Sequence, residues 1–162
     1  MRSIVVALGL AIAAASPVAA ADPAVLAEGA KAVAICAETM PDIRKTKAAL
    51  NEAGFRLDES DGRMHYYTRE GARVVVGVTT PAAERPACIA LVSKMTPAEA
   101  ATLMQPWIKA AHAVPVREER VKYSNTHIGV FKGRPIMLGV VNNIELKIVR
   151  GAAVLAVGLT KQ

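Results

Sequence analysis

Pro86-Ala87-Cys88-Ile89-Ala90-Leu91-Val92-Ser93 is the stretch on which the reading of the fold turns. It is short, apolar and bounded by a proline and a serine, which predicts a buried strand rather than a helix. It also opens with Cys88, one of two cysteines in the chain. The other, Cys36, lies in Val33-Ala34-Ile35-Cys36-Ala37, inside a stretch of helical periodicity.

What two cysteines do depends on the compartment, and the N-terminus speaks to that. Met1-Arg2-Ser3 carries one positive side chain, Ile4 to Ala15 is apolar, and Ser16-Pro17-Val18-Ala19-Ala20-Ala21 is made of small residues suited to a peptidase. This is the pattern of a cleaved export signal. The apolar run is shorter than the roughly 20 residues that a membrane-spanning helix requires, so the expected product is not transmembrane. We therefore expect a signal peptide at 1–21 and a single α+β domain at 22–162, periplasmic or secreted. Under oxidising conditions the simplest state of Cys36 and Cys88 is a disulfide from helix to strand. Closing a loop of about 50 residues would stabilise the fold by roughly 4 kcal/mol in the chain-entropy model. A redox-active pair would ask for a Cys-x-x-Cys spacing, and none is present.

Working outward from the strand, Leu26, Ala30, Val33, Ala37 and Met40 recur at helical steps, and Thr39-Met40-Pro41-Asp42 reads as a restart with Thr39 as cap. A second helix runs through Ile43, Lys47 and Leu50 to Gly54. Four strands should follow, the last beginning at Cys88, joined by short turns as an antiparallel meander; Glu59-Ser60-Asp61-Gly62 is one of those turns. Thr96-Pro97-Ala98-Glu99 is a capping box that opens a third helix, and Pro106 is expected to kink or break it near Gln105. Arg117 to Tyr123 is charged and ambiguous. The remainder reads as a second meander, 126–131, 134–141, 144–149 and 152–159, with turns at Lys132-Gly133, Asn142-Asn143 and Arg150-Gly151. The fold class is α+β, with helices packed on one face of a mainly antiparallel sheet. Helix precedes strands in both halves, so two helix-plus-meander units are one reading. A faint echo between 69–78 and 150–159 points the same way.

Charge is unevenly spread. From Asp22 to Ala113 there are 11 Lys or Arg against 11 Asp or Glu, whereas Val114 to Gln162 has 8 against 3. A basic surface attracts anions over a Debye length. Lys132, Arg134, Lys147 and Arg150 are thus candidate partner-binding residues on a sheet surface, for an anionic lipid, an acidic glycan or an acidic protein. Nucleic acid is a poor partner, because stacking aromatics are not interleaved with the basic residues.

Chemistry is harder to find. His65, His112 and His127 are isolated, and no nucleophile elbow, phosphate loop or dinucleotide fingerprint is present. No metal or cofactor site is assigned and no catalytic residue is named, although His65, beside Tyr66 and Tyr67, is where an enzymatic role would be sought first. Asp58, Glu59 and Asp61 lack the ligand run of a calcium loop and read as turn residues. The sequence thus favours an exported, non-enzymatic binding or accessory protein with a basic C-terminal sheet surface. The alternatives are a module that dimerises or binds a partner through a sheet edge or apolar face, and a small exported enzyme.

Overall fold

A computed structural model describes residues 21–71, 73–81, 83, 85–116, 124–146 and 149–159. Residues 1–20, on which the expected export signal falls, Arg117 to Tyr123 and Lys147 lie outside the described residues.

Three helices, α1 (Pro23–Thr39), α2 (Ile43–Glu52) and α3 (Pro97–Ala110), accompany eight strands. The strands are β1 (Arg56–Ser60), β2 (Met64–Thr68), β3 (Val74–Thr79), β4 (Ala87–Val92), β5 (Val114–Pro115), β6 (Ser124–Phe131), β7 (Arg134–Leu146) and β8 (Val149–Gly158). They form one sheet in the order β1-β2-β3-β4-β8-β7-β6-β5, antiparallel throughout. The two helix-plus-meander halves therefore join through their last strands, β4 and β8. This order makes β3 the counterpart of β7, so the echo between 69–78 and 150–159, which would match β3 with β8, does not report the symmetry.

The helices cover one face of the sheet. Directly opposed residues of paired antiparallel strands point to the same face. One such row runs Val78, Cys88, Ala156 and Leu138, all buried in the main core with Val33, Met40, Leu50 and Met104. Burying each large aliphatic side chain there is worth about 1.5–3 kcal/mol. At the centre of this core Cys36 and Cys88 are bonded, their Cα atoms 5.4 Å apart and both nearly inaccessible. Val33, Ala37 and Met40 of α1 and its end are buried as expected, Val25, Gly29, Ala32 and Cys36 join them, and Leu26 is only partly buried. At Gly29 a side chain would collide with Val92, so α1 can sit close on the sheet.

Local chemistry explains the other departures. Thr39 ends α1 instead of capping α2; its hydroxyl donates to Ile35 O and meets the buried Thr46 hydroxyl at 2.7 Å. Asp42 is the cap, accepting from Arg44 N and Lys45 N. Helix α3 has the expected capping box, Thr96 with Glu99, and continues past Pro106, which lies on its exposed side, so the expected break near Gln105 does not occur. Strand β1 runs through Glu59 to Ser60 across a bulge, and the turn begins at Asp61.

The largest correction concerns the second meander. Asn142-Asn143 is not a turn but a bulge inside the 13-residue β7, with Asn143 in the left-handed region that asparagine tolerates. Arg150-Gly151 is likewise inside β8, not between strands. The fourth strand of this half is instead the two-residue β5.

Candidate functional site

The basic residues singled out from the sequence do not share one surface. Lys132 and Arg134 flank the β6–β7 turn, whereas Arg150 pairs with Glu145 near the opposite end of β7. At roughly 3.3 Å per residue that separates them by about 35 Å. Lys147 lies outside the described residues. The three described residues also have local partners. Arg134 donates to Glu38 O at 2.6 Å and Thr39 O at 3.4 Å, tying off the carbonyl end of α1. Lys132 lies over the Phe131 ring, 5.1 Å from its centroid. Arg150 pairs with Glu145 at 2.8 Å.

His65 is opposite Val78 and so faces the helix layer. Its Nδ1 is buried and has no hydrogen-bond partner among the described residues. Burial lowers its pKa, and the nearby Lys47 ammonium adds to this against the opposing pull of Asp61. Asp61, by contrast, accepts from Met64 N, Arg63 N and the Tyr66 hydroxyl, and these bonds hold its carboxyl below the usual range. The carboxylate therefore organises the β1–β2 turn. Among the described residues no three His, Cys, Asp or Glu side chains converge as metal ligands.

Two cavities adjoin one another at the end of β4. One, about 470 Å³, is lined by Lys94, Thr96, Asn143, Glu145 and Arg150 among others; the second, about 370 Å³, by Asp22, Arg73 and Lys94. Their charge is nearly balanced, because Arg73 pairs with Asp22 at 3.7 Å and Arg150 with Glu145. The Glu99 carboxylate already occupies the capping position at the start of α3.

The face of the sheet turned away from the helices is the most unusual surface. Its central row runs Tyr66, Gly77, Ile89, Leu155 and Gly139, and a second runs Met64, Thr79, Ala87, Val157, Met137 and Ile128. Thr68, Val75, Leu91, Ala153 and Val141 form a third. From β2 across to β6 not one of these positions is charged. An antiparallel sheet with one wet face ordinarily alternates apolar and polar residues, and this one does not. No described helix packs on it. Much of it is nevertheless inaccessible: Val75, Leu91, Val149 and Ala153 are buried with Tyr66, Ile89 and Ile144 packed against them, and Leu155 and Val157 at the centre are buried too. Toward β5 and β6 the face opens: Val114 is 62%, Ile128 37% and Val130 55% exposed. Over Gly77 the surface is level, since a Cβ there would meet Met64 Cε at 2.7 Å and Ile89 Cγ2 at 2.9 Å.

Both edges of the sheet, in contrast, are guarded against pairing. Edge strand β1 is short, bulged and charged at Arg56, Asp58 and Glu59. Edge strand β5 has two residues, one of them Pro115, and the loop before it covers β6, with Val130 N donating to Ala111 O at 2.9 Å. These are the devices by which proteins prevent edge-to-edge association.

The sequence reasoning missed this face, although its signal was present: Val74-Val75-Val76, Cys88 to Val92 and Ala152 to Val157 are apolar at both parities. Among the described residues no helix is long and apolar enough to cross a membrane. No family model, no curated protein and no solved structure matches the chain.

Proposed function

We propose that this protein is a non-enzymatic binding module of an oxidising, exported compartment, and that its working surface is the helix-free sheet face. One observation carries the reading: six adjacent strands, β2 to β6 in sheet order, present a charge-free face with no described helix on it, while both sheet edges are blocked. Its exposed part lies at β5 and β6, where Val114, Ile128 and Val130 stand together in solvent, and apolar side chains exposed side by side mark an interaction site. The buried Cys36–Cys88 bond suits the compartment.

The test uses an environment-sensitive dye. The folded, oxidised protein should bind 1-anilinonaphthalene-8-sulfonate saturably, and Ile128→Lys with Val130→Lys should reduce that binding several-fold without changing the far-ultraviolet circular dichroism. Both side chains are exposed, so the change spares the core. Absence of dye binding by the native protein would overturn the proposal.

A second reading, an anionic partner, is supported by Lys94. It lines both cavities, with Arg73 on one side and Arg150 on the other, and has no ion-pair partner among the described residues. The attraction there would come from one net positive charge, not from a continuous basic sheet surface.

A further inference from the structure

We infer that the larger cleft beside Lys94 binds a small organic monoanion, a carboxylate with an apolar body; this rests on the anionic role of Lys94 given above and adds the class of ligand. Charge placement comes first. The turn that follows β4 is stitched to two other segments, Ser93 N donating to Arg73 O at 2.8 Å and Lys94 N to Arg150 O at 2.8 Å. Those bonds gather three cationic residues, far apart in the chain, at one end of the sheet. Like charges on neighbouring strands oppose folding. Asp22 offsets Arg73 and Glu145 offsets Arg150, which leaves Lys94 without an ion-pair partner among the described residues. A fold that keeps a locally unfavourable arrangement commonly does so at a functional site.

The backbone points to the same place. Lys94 has φ 59°, and Asn143, in the β7 bulge on the same cleft, has φ 51°. Lysine seldom takes this left-handed region, and residues held in it cluster at ligand sites. Gly151 adjoins both: it is paired with Ile144, and a Cβ on it would collide with Val92 O. Without that Cβ, β8 runs against the turn and carries Arg150 to the cleft that Lys94 and Asn143 line.

The lining then selects the ligand. Lys94 and Arg150 against Glu145 leave one net positive charge, which matches a single negative charge. A dianion would hold its second charge unmatched beside Glu145. Pro97 and Ile144 supply apolar walls and Asn143 a neutral amide. The volume, about 470 Å³, falls in the range of small-molecule sites.

The test is an amide chemical-shift titration of the isotope-labelled, oxidised protein with sodium hexanoate and, separately, with sodium sulfate at constant ionic strength. Hexanoate should move the Lys94, Thr96, Asn143 and Gly151 amides along one saturating curve, and sulfate should bind there at least tenfold more weakly. Lys94→Gln, a change at an exposed side chain, should weaken hexanoate at least tenfold without altering the circular dichroism or the melting temperature. Sulfate that saturates these amides as tightly as hexanoate would overturn the organic-acid class and leave the anionic reading standing. If neither anion moves them, both fall. Hexanoate that binds Lys94→Gln as well as the native protein, or that moves only the Ile128 and Val130 amides, would place the contact outside this cleft and overturn the inference.

Discussion

Cys36 and Cys88 show how much a single residue pair can decide. Both were legible from the sequence as a helix-to-strand bond, because helical and strand periodicity are local properties and two cysteines in a small chain are most simply a pair. What was not legible was the full width of the inward face of α1: besides the expected Val33, Ala37 and Met40 it presents Val25, Gly29, Ala32 and Cys36, and leaves Leu26 half out. The bond spans 52 residues, for which chain entropy gives about 4 kcal/mol. We therefore expect Cys36→Ala with Cys88→Ala to lower unfolding free energy by about 2–4 kcal/mol in urea titration, with no thiol reactivity in the native protein before unfolding. His65 teaches the opposite lesson. Its alternation with Tyr66 was read correctly, but alternation alone does not tell which side the helices take.

Among the elements, Arg134 is the residue whose role changed most. The basic character of the β6–β7 turn suggested ligand binding, yet the guanidinium satisfies two carbonyls at the end of α1, a helix 95 residues away in sequence. Hydrogen bonds from a charged donor are worth more than neutral ones. Arg134→Ala should accordingly cost about 1–2 kcal/mol in thermal or urea unfolding, whereas Lys132→Ala, which loses one ring contact at the surface, should fall within about 0.5 kcal/mol of the native protein. Equal effects of the two substitutions would remove the structural role assigned to Arg134. Helix α3 was legible to the residue at its start, since a capping box is written in four consecutive positions. The Asn142-Asn143 bulge was not, because the same dipeptide serves a hairpin turn or an insertion within a strand. Only the continuation of β7 against β8, Ile144 opposite Gly151, distinguishes them.

At the scale of the whole molecule, the two proposed surfaces respond to salt in opposite directions. Apolar faces meeting each other lose no attraction when charges are screened, whereas a cationic site for an anionic partner does. Raising sodium chloride from about 50 to 500 mM should leave dye binding at the sheet face unchanged or tighten it, and should release any anionic lipid vesicle or acidic glycan held through Lys94. Dye binding that weakens steeply with salt would assign the contact to charged groups and exclude the sheet face. The chain's overall basic balance bears little on this, since five of the eight cations after Ala113, namely Arg117, Arg120, Lys122, Lys147 and Lys161, lie outside the described residues.

By itself the sequence determined the elements: the capped helices, the first meander, the cysteine pair and the α+β class. Each rests on periodicity or capping within a few neighbouring residues, where local sterics and hydrogen bonding dominate. Tertiary structure alone decided that β4 lies beside β8 to make one sheet, which face of that sheet the helices cover, and that the described basic residues disperse to opposite ends of β7. Those outcomes depend on pairing between strands some 65 residues apart and on which apolar parity the helices bury, and when both parities of Cys88 to Val92 are apolar the residues do not choose. The stretch 86–93 therefore specified a buried strand from the start; the helix layer settled which of its faces lies beneath the helices.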